Sequence, residues 1–320
     1  MKKIALLTSG GDAPGMNGAI RAVVRHSIAQ GWIVFGIHRG YQGMIDDEIF
    51  EMGTHSVAGI IQRGGTILKT ARSEAFRTLE GRKLAAENLK RLGINQMVVI
   101  GGDGSMRGAE TLSEEFGIST MTIPGTIDND MNGTEYTIGF DTALNNILDA
   151  INKIRDTANS HQRVAVVEVM GRHAGHLALM AAISCGAEVV LVPEIPWSIE
   201  EVCERIELSH QKGKLYSIVL VAEGAAKGPD IGKEIEERTG ADVNVTVLGY
   251  LQRGGSPTAL DNIIGTQMGV RAVDELAAGK SNCLVGMQGN KIVSTSYIEV
   301  KNQPRTLDLN LYDLALSLSR

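Results

Sequence analysis

Cysteine is scarce in this chain, with three among 320 residues, and the three stand far apart at Cys185, Cys203 and Cys283. Such spacing fits neither a disulfide framework nor a metal pattern, so they read as free buried thiols in a reducing compartment. Aromatic residues make up only 4%, too few for a platform that stacks bases. Basic charge is not in excess either: 31 Lys and Arg against 37 Asp and Glu leave a net −6. That balance argues against a nucleic-acid partner, which needs a basic face. No apolar run approaches the ~18 residues of a membrane span. The four apolar residues between Lys3 and Thr8 are too short for a signal-peptide core. The expectation is a soluble cytoplasmic protein with no membrane partner. Pro/Ser linkers, low-complexity stretches and a 20–50-residue repeat are all missing, which excludes a solenoid.

What is present is an ordinary globular balance, 43% apolar and 21% charged, but with glycine raised to 38 residues, about 12% against a typical ~7%, which points to many tight turns or close backbone approaches. The length suggests about two domains. Short apolar runs recur at Ile4–Leu7, Ile33–Ile37, Met97–Ile100, Val164–Val169, Val189–Val192, Ile218–Ala222 and Val245–Leu248. They do not alternate, so both faces are expected to be buried, the mark of parallel strands covered by helices. Helical stripes lie between them. Leu144, Ile147, Leu148, Ile151 and Ile154 share one face, with Asp141 as N-cap. Leu84, Leu89 and Leu92 form a second stripe that stops at Gly93. The alternation predicts an α/β fold with a mostly parallel sheet.

In such sheets ligands bind beyond the carboxyl ends of the strands, so the residues that follow each strand carry the functional information. Thr8-Ser9-Gly10-Gly11-Asp12-Ala13-Pro14-Gly15 precedes a helix, where backbone N–H groups and the helix dipole favour an anion. It matches neither the dinucleotide fingerprint nor the P-loop, which weakens a nicotinamide-dependent oxidoreductase. Gly101-Gly102-Asp103-Gly104-Ser105 places an acid among glycines at a helix start. Asp103 reads equally as a helix cap or as a Mg²⁺ ligand beside phosphate. Pro124-Gly125-Thr126-Ile127-Asp128-Asn129-Asp130 sets two carboxylates two residues apart; these are ordinary turn residues, or one accepts a hydroxyl proton while the other helps to hold metal. Met170-Gly171-Arg172 and Glu223 end two further strands, and Arg253 follows another. Arg163 precedes its strand and so belongs to the opposite edge. In a chain of net negative charge, Arg72, Arg163, Arg172 and Arg253 would focus positive potential locally. The residues together describe a nucleotide–Mg²⁺ site with a carboxylate base, which is phosphoryl-transfer chemistry.

Taken together, Thr8-Ser9-Gly10-Gly11-Asp12, Gly101-Gly102-Asp103-Gly104-Ser105, Pro124 to Asp130, Met170-Gly171-Arg172 and Gln252-Arg253-Gly254-Gly255-Ser256 resemble the bacterial ATP-dependent 6-phosphofructokinase family. The match runs in order over nearly the whole chain. The resemblance implies two parallel-sheet, Rossmann-like, three-layer α/β domains with the active site in the cleft between them. Residues 1–140 plus 255–305 would form the larger, ATP-binding domain, and 141–254 plus 306–320 the smaller, sugar-phosphate-binding one. It also implies conversion of fructose 6-phosphate and ATP to fructose 1,6-bisphosphate and ADP, the glycolytic reaction. Asp128 would be the base, with Thr126, Arg172 and Gly11 stabilising the phosphoryl group. Gly11, Tyr41, Arg72, Ser73, Gly102, Asp103, Gly104, Ser105 and Gly108 would bind ATP, with Asp103 on Mg²⁺. Thr126, Asp128, Asp130, Met170, Gly171, Arg172, Glu223, Asn244, Tyr250 and Arg253 would hold the sugar phosphate, and Arg163 would come from a neighbouring subunit of a homotetramer. Gly104 and Gly125 stand where pyrophosphate-using relatives carry Asp and Lys, which favours ATP as donor.

Arg21, Arg25, Arg155, Gly186, Lys212 and Lys214, with Glu188 as a metal-binding acid, resemble the family's intersubunit effector site for ADP or phosphoenolpyruvate. Three positions depart from the family pattern: Asn244 replaces an Arg that pairs with Arg163, Tyr250 replaces a His, and Gly59 replaces an Asp of the effector pocket. Losing one charge-assisted phosphate contact costs ~1.5–3 kcal/mol. Asn244 and Tyr250 therefore keep open a same-fold kinase acting on another sugar phosphate. A non-catalytic sensor would have little reason to keep Asp103, Asp128 and Asp130 together.

Overall fold

The computed structural model describes residues 1–318. In chain order the strands and helices begin β1 (Lys3–Ser9), α1 (Met16–Ala29), β2 (Ile33–Ile37), α2 (Gly40–Ile45), β3 (Ile49–Met52), α3 (Leu79–Arg91), β4 (Gln96–Gly101), α4 (Asp103–Phe116) and β5 (Ser119–Pro124). They continue with α5 (Phe140–His161), β6 (Val164–Val169), α6 (His176–Cys185), β7 (Val189–Leu191), α7 (Ile199–Gln211), β8 (Ser217–Ala222), α8 (Gly228–Thr239) and β9 (Val243–Val247). A short turn at Gly249–Arg253 leads to α9 (Ala259–Ala277), β10 (Cys283–Gln288), β11 (Lys291–Ser296), α10 (Tyr297–Asn302) and α11 (Leu309–Leu318).

The chain divides into two compact units. The first holds Met1–Thr126, Met131–Thr142 and Arg253–Arg305; the second holds Ile127–Asp130, Ala143–Gln252 and the segment from Thr306. The segment Ile127–Asp130 thus groups with the second unit, and the changeovers fall at Thr142 and Arg253. Ser319 and Arg320, the end of the expected second domain, lie outside the described residues.

The first unit is built on a seven-stranded sheet in the order β11-β10-β5-β4-β1-β2-β3. Its five inner strands run parallel, while β3 and β11 close the edges antiparallel. Ile4, Ala5, Leu6 and Leu7 of β1 and Met97 to Ile100 of β4 are fully buried, so these strands need the continuous apolar runs that the sequence shows. Each of the larger of these side chains, Ala5 aside, contributes about 1.5–3 kcal/mol on burial. Helices α1 and α9 cross closely because Gly265 and Gly269 carry no side chain. A Cβ at Gly269 would lie 2.8 Å from the Ala19 carbonyl oxygen and from Ala22 Cβ.

The second unit carries a four-stranded, all-parallel sheet in the order β7-β8-β6-β9. All six residues of β6 and of β8 are buried. Strand β9 corrects the expectation of burial on both faces: it is an edge strand, and Val245 and Val247 are 39% and 53% exposed. Two helix details also change. Asp141 lies inside the first turn of α5 rather than capping it. Leu84 is exposed, and the buried stripe of α3 is Ala85, Ala86 and Leu89. Gly93 ends that helix with a left-handed φ of 69°. Cys185, Cys203 and Cys283 are free and buried. Among the described residues, no helix is long and apolar enough to cross a membrane.

Candidate active site

In the first unit, parallel register aligns the carboxyl ends of three neighbouring strands: Ser9 of β1 pairs with Gly101 of β4, which pairs with Pro124 of β5. The three glycine-bearing loops therefore leave the sheet at one edge. A Cβ on Gly10 would touch Ser105 Oγ at 3.5 Å, and one on Gly102 would touch Thr126 Cβ at 4.0 Å. The Arg253 guanidinium lies over Gly11, where a Cβ would meet Nη1 at 2.4 Å, and Nη1 donates to the Asp12 carbonyl at 3.0 Å. Glycine at 11 thus lets a fixed positive charge sit on the loop after β1.

Gly102 caps α4, and Asp103 opens its first turn. The Asp103 carboxylate is half-exposed and pairs with Arg107 one turn on, at 2.9 Å. Its position at a helix N-terminus is where backbone dipoles and a phosphate would meet a divalent cation. Beneath it, the buried Tyr41 ring stacks on Phe76 at 4.0 Å and its hydroxyl donates to the Ser105 carbonyl at 2.6 Å. Burial pushes the phenol well above its ordinary pKa, so it stays a neutral donor. Gly108 leaves room for this ring, since a Cβ there would lie 2.8 Å from it. Tyr41 enters the site as the brace of the Asp103–Ser105 turn. Ser73 accepts from Phe76 N–H and donates to Gln42, while Arg72 beside it is exposed. Thr70 Oγ1 donates to the Gly10 carbonyl at 2.6 Å, tying this segment to the loop after β1.

Gly104 faces open space, whereas a Cβ on Gly125 would press on Met16 Cε at 2.8 Å and Ile100 Cγ2 at 3.2 Å. The segment that follows Gly125 is laid against residues 137–139: Thr126 N–H donates to the Ile138 carbonyl at 3.1 Å, and Thr137 Oγ1 donates to the Thr126 carbonyl at 2.6 Å.

The second unit gathers a different set at the carboxyl ends of β6 and β8, where Val169 pairs with Ala222. Glu223 N–H donates to the Val169 carbonyl, and Arg172 N–H donates to Glu223 Oε1, both at 2.9 Å. Gly171 has a φ of 139° and Arg172 a φ of 53°. A left-handed arginine is uncommon and needs support from its surroundings; the Glu223 carboxylate gives it through the Arg172 N–H, and Gly224 leaves room, since a Cβ there would strike the Arg172 carbonyl. Turned this way, Arg172 Nε lies 3.8 Å from Asp128 Oδ2, with Asp128 3% and Arg172 57% exposed as side chains. A buried carboxylate faced by a solvent-reaching guanidinium suits a general base beside a group that spreads developing negative charge. Asp130 stands two residues on, half-buried.

A family model described as phosphofructokinase matches residues 3–276. The chain belongs to the phosphofructokinase family. A protein of Halalkalibacterium halodurans named ATP-dependent 6-phosphofructokinase is 53% identical over 319 residues, covering all of both chains. One of Clostridium botulinum with the same name is 53% identical over 320 residues, again end to end. Phosphofructokinase from Saccharomyces cerevisiae superposes with a TM-score of 0.93 at 37% identity, covering 99% of this chain and 50% of that one.

Within this member of the family, Arg163 and Asn244 do not join Arg172 and Glu223. Arg163 precedes β6, and Asn244 is level with Ala165, the second residue of that strand. Both lie at the amino end, a strand length of roughly 20 Å from Met170. Arg163 Nε is held by Asp242 Oδ2 at 2.5 Å, and Asn244 is exposed on the edge strand β9. Tyr250, in the turn after β9, is 82% exposed.

The effector candidates fall on both units. Arg21 and Arg25 stand on α1 of the first. In the second, Arg155 donates to the Cys185 carbonyl beside Gly186, which ends α6 with a left-handed φ of 66°. Glu188 is buried and ion-paired with Lys214, and its second oxygen accepts from Ile218 N–H at 2.7 Å. Both oxygens of Glu188 are thereby engaged by protein donors. Arg155 and Glu188 act with opposite sign on the Cys185 thiol, whose pKa burial raises. Lys212 caps α7 nearby in sequence.

Gln252 and Asp261 are functional candidates that single-residue reading of the sequence missed. Gln252 is 1% exposed; its Oε1 accepts from Met170 N–H and its Nε2 donates to the Gly249 carbonyl, both at 3.0 Å. It pins the turn bearing Tyr250 to the end of β6. The Gln-Arg-Gly-Gly motif was the available signal.

Proposed function

We propose that this chain transfers the γ-phosphoryl group of ATP to the 1-hydroxyl of fructose 6-phosphate, giving fructose 1,6-bisphosphate and ADP. The observation that carries the reading is the buried Asp128 carboxylate facing Arg172 at 3.8 Å, in a family member alike from end to end to proteins named for this activity. Asp128 accepts the hydroxyl proton as the oxygen attacks. Arg172, the backbone of Gly11 and Thr126 offset the charge on the moving phosphoryl group. Gly11, Arg72, Ser73, Gly102, Gly104 and Ser105 hold the nucleotide, with Tyr41 and Gly108 supporting the turn beneath. Asp103, half-exposed at a helix start, fits a Mg²⁺ carried on the phosphates, since such an ion takes one or two protein carboxylates; when bound it neutralises phosphate charge. Open space at Gly104 and crowding at Gly125 support ATP as donor over pyrophosphate, the two-residue difference noted in the sequence.

Met170, Gly171, Glu223, Asp130 and Arg253 hold the sugar. Arg163, with Asn244 and Tyr250, serves the 6-phosphate in a neighbouring subunit of a homotetramer, which explains why it sits at the far end of β6. ADP or phosphoenolpyruvate acts at the site of Arg21, Arg25, Arg155, Gly186, Glu188, Lys212 and Lys214. The place of work is the cytoplasm. Asn244 favours a second reading, a kinase of this family with another sugar-phosphate acceptor. ATP consumption across a panel of sugar phosphates, with and without Mg²⁺, separates the two. Fructose 6-phosphate is expected to give the highest kcat/KM, and only with Mg²⁺; a higher value for another sugar phosphate rejects the first reading.

A further inference from the structure

Thr258-Ala259-Leu260-Asp261 has the spacing of a capping box, but only half of the box forms. Thr258 Oγ1 accepts from Asp261 N–H at 3.3 Å, while Thr258 N–H is taken by Thr142 Oγ1 at 3.0 Å. The Asp261 carboxylate turns to the start of α5 instead. Its Oδ1 accepts from Gly139 N–H at 2.8 Å, and its Oδ2 accepts from Thr142 N–H at 2.8 Å and Thr142 Oγ1 at 2.5 Å. Asp261 is 1% exposed. Burial raises its carboxyl pKa, and the Thr142 and Gly139 donors pull it back. A buried carboxylate is costly unless several donors meet it, so packing alone would be met more cheaply by an apolar residue.

Two loops of the candidate site rest on this node, all within the first unit. Ile138 N–H donates to the Pro124 carbonyl at 2.9 Å, and its carbonyl accepts from Thr126 N–H at 3.1 Å. On the other side, Gly15 ends the loop after β1 at a φ of 101°. A Cβ there would press on Ile138 Cγ2 at 2.8 Å and Asp261 Cβ at 3.1 Å.

We propose that Asp261 is a positioning residue for phosphoryl transfer: by fixing Gly139 and Thr142 it holds the Thr126 backbone and the Gly15 end of the β1 loop in register. The proposal rests on the reading above that Thr126 and Gly11 face the phosphoryl group. The test compares wild type with Asp261→Asn, Thr142→Val and Thr142→Ser. Each is assayed with ATP and fructose 6-phosphate at a temperature where circular dichroism shows it folded, and amide exchange is followed in peptides spanning 124–142.

Small misplacements of reacting groups cost up to ~10²-fold. Asp261→Asn and Thr142→Val are expected to lower kcat at least about tenfold, leave KM for fructose 6-phosphate within about threefold, and speed exchange at Thr126 as well as at Gly139. Thr142→Ser keeps the hydroxyl and restores kcat to within about threefold. Wild-type kcat in both variants, or unchanged exchange at Thr126, overturns the proposal. If Asp261→Asn does not fold, Thr142→Val alone decides. A wild type that fails to phosphorylate fructose 6-phosphate would reject the function, while the exchange data still judge Asp261.

Discussion

Asp128 and Arg172 show how much one backbone torsion decides. Arg172 reaches its aspartate because Gly171 and Gly224 permit a left-handed residue at the end of β6. The sequence located both side chains, since residues after buried strands were the natural candidates, but nothing in Met170-Gly171-Arg172 announced that φ. Asp261 was invisible for another reason: as Thr-x-x-Asp before an apolar run it looks like an ordinary helix start, and its true partners lie more than a hundred residues away. Asn244 is the residue-scale test of acceptor choice. Restoring a charge-assisted phosphate contact is worth ~1.5–3 kcal/mol, so Asn244→Arg is expected to lower KM for fructose 6-phosphate about tenfold or more. An unchanged or raised KM would mean that the pocket is shaped for a different acceptor.

Helix α4 carries Asp103 at one end and is tied at the other. Arg82 of α3 grips Glu115 with Nε and Nη2 at 2.6 and 2.7 Å. The Arg82 hydrogen bonds hold the Glu115 carboxyl below its ordinary pKa. The folded value is thus lower than the unfolded one. The resulting stabilisation is full above the ordinary glutamate range and is lost as pH falls through the lowered value. A partly exposed pair of this kind contributes at most about 1 kcal/mol. Glu115→Gln is therefore expected to lower the melting midpoint by a few degrees at most, roughly 2–4 °C, at pH 7, with the gap to wild type closing as the pH falls below the ordinary glutamate range. A gap that does not change with pH would contradict the assignment. At this scale most inner strands were legible because burial on both faces demands unbroken apolar runs, while inner β10, interrupted by Gly286 and half-exposed at its end, was missed. The edge strands β3 and β11 were not, since half-exposed antiparallel edges mix polar and apolar residues. β9 was found but misjudged for the same reason: its valines resemble those of β6, and only sheet order reveals the edge.

Over the whole molecule, the net charge of −6 means that cations serving phosphate must be placed locally, and the proposed reading gives that part to Arg253 over Gly11 in the first unit and Arg172 by Asp128 in the second. On the proposed reading the donor-side residues Gly11, Asp103 and Thr126 belong to the first unit, and Asp128, Arg172 and Glu223 to the second. That reading makes donor binding and proton abstraction separable by mutation. The most direct measurement is steady-state turnover of Asp128→Asn with fructose 6-phosphate and Mg-ATP, alongside its Kd for Mg-ATP. A general base contributes ~10²–10⁴-fold, so kcat is expected to fall at least about a hundredfold while the Kd stays near that of wild type. Turnover at the wild-type rate would contradict the account.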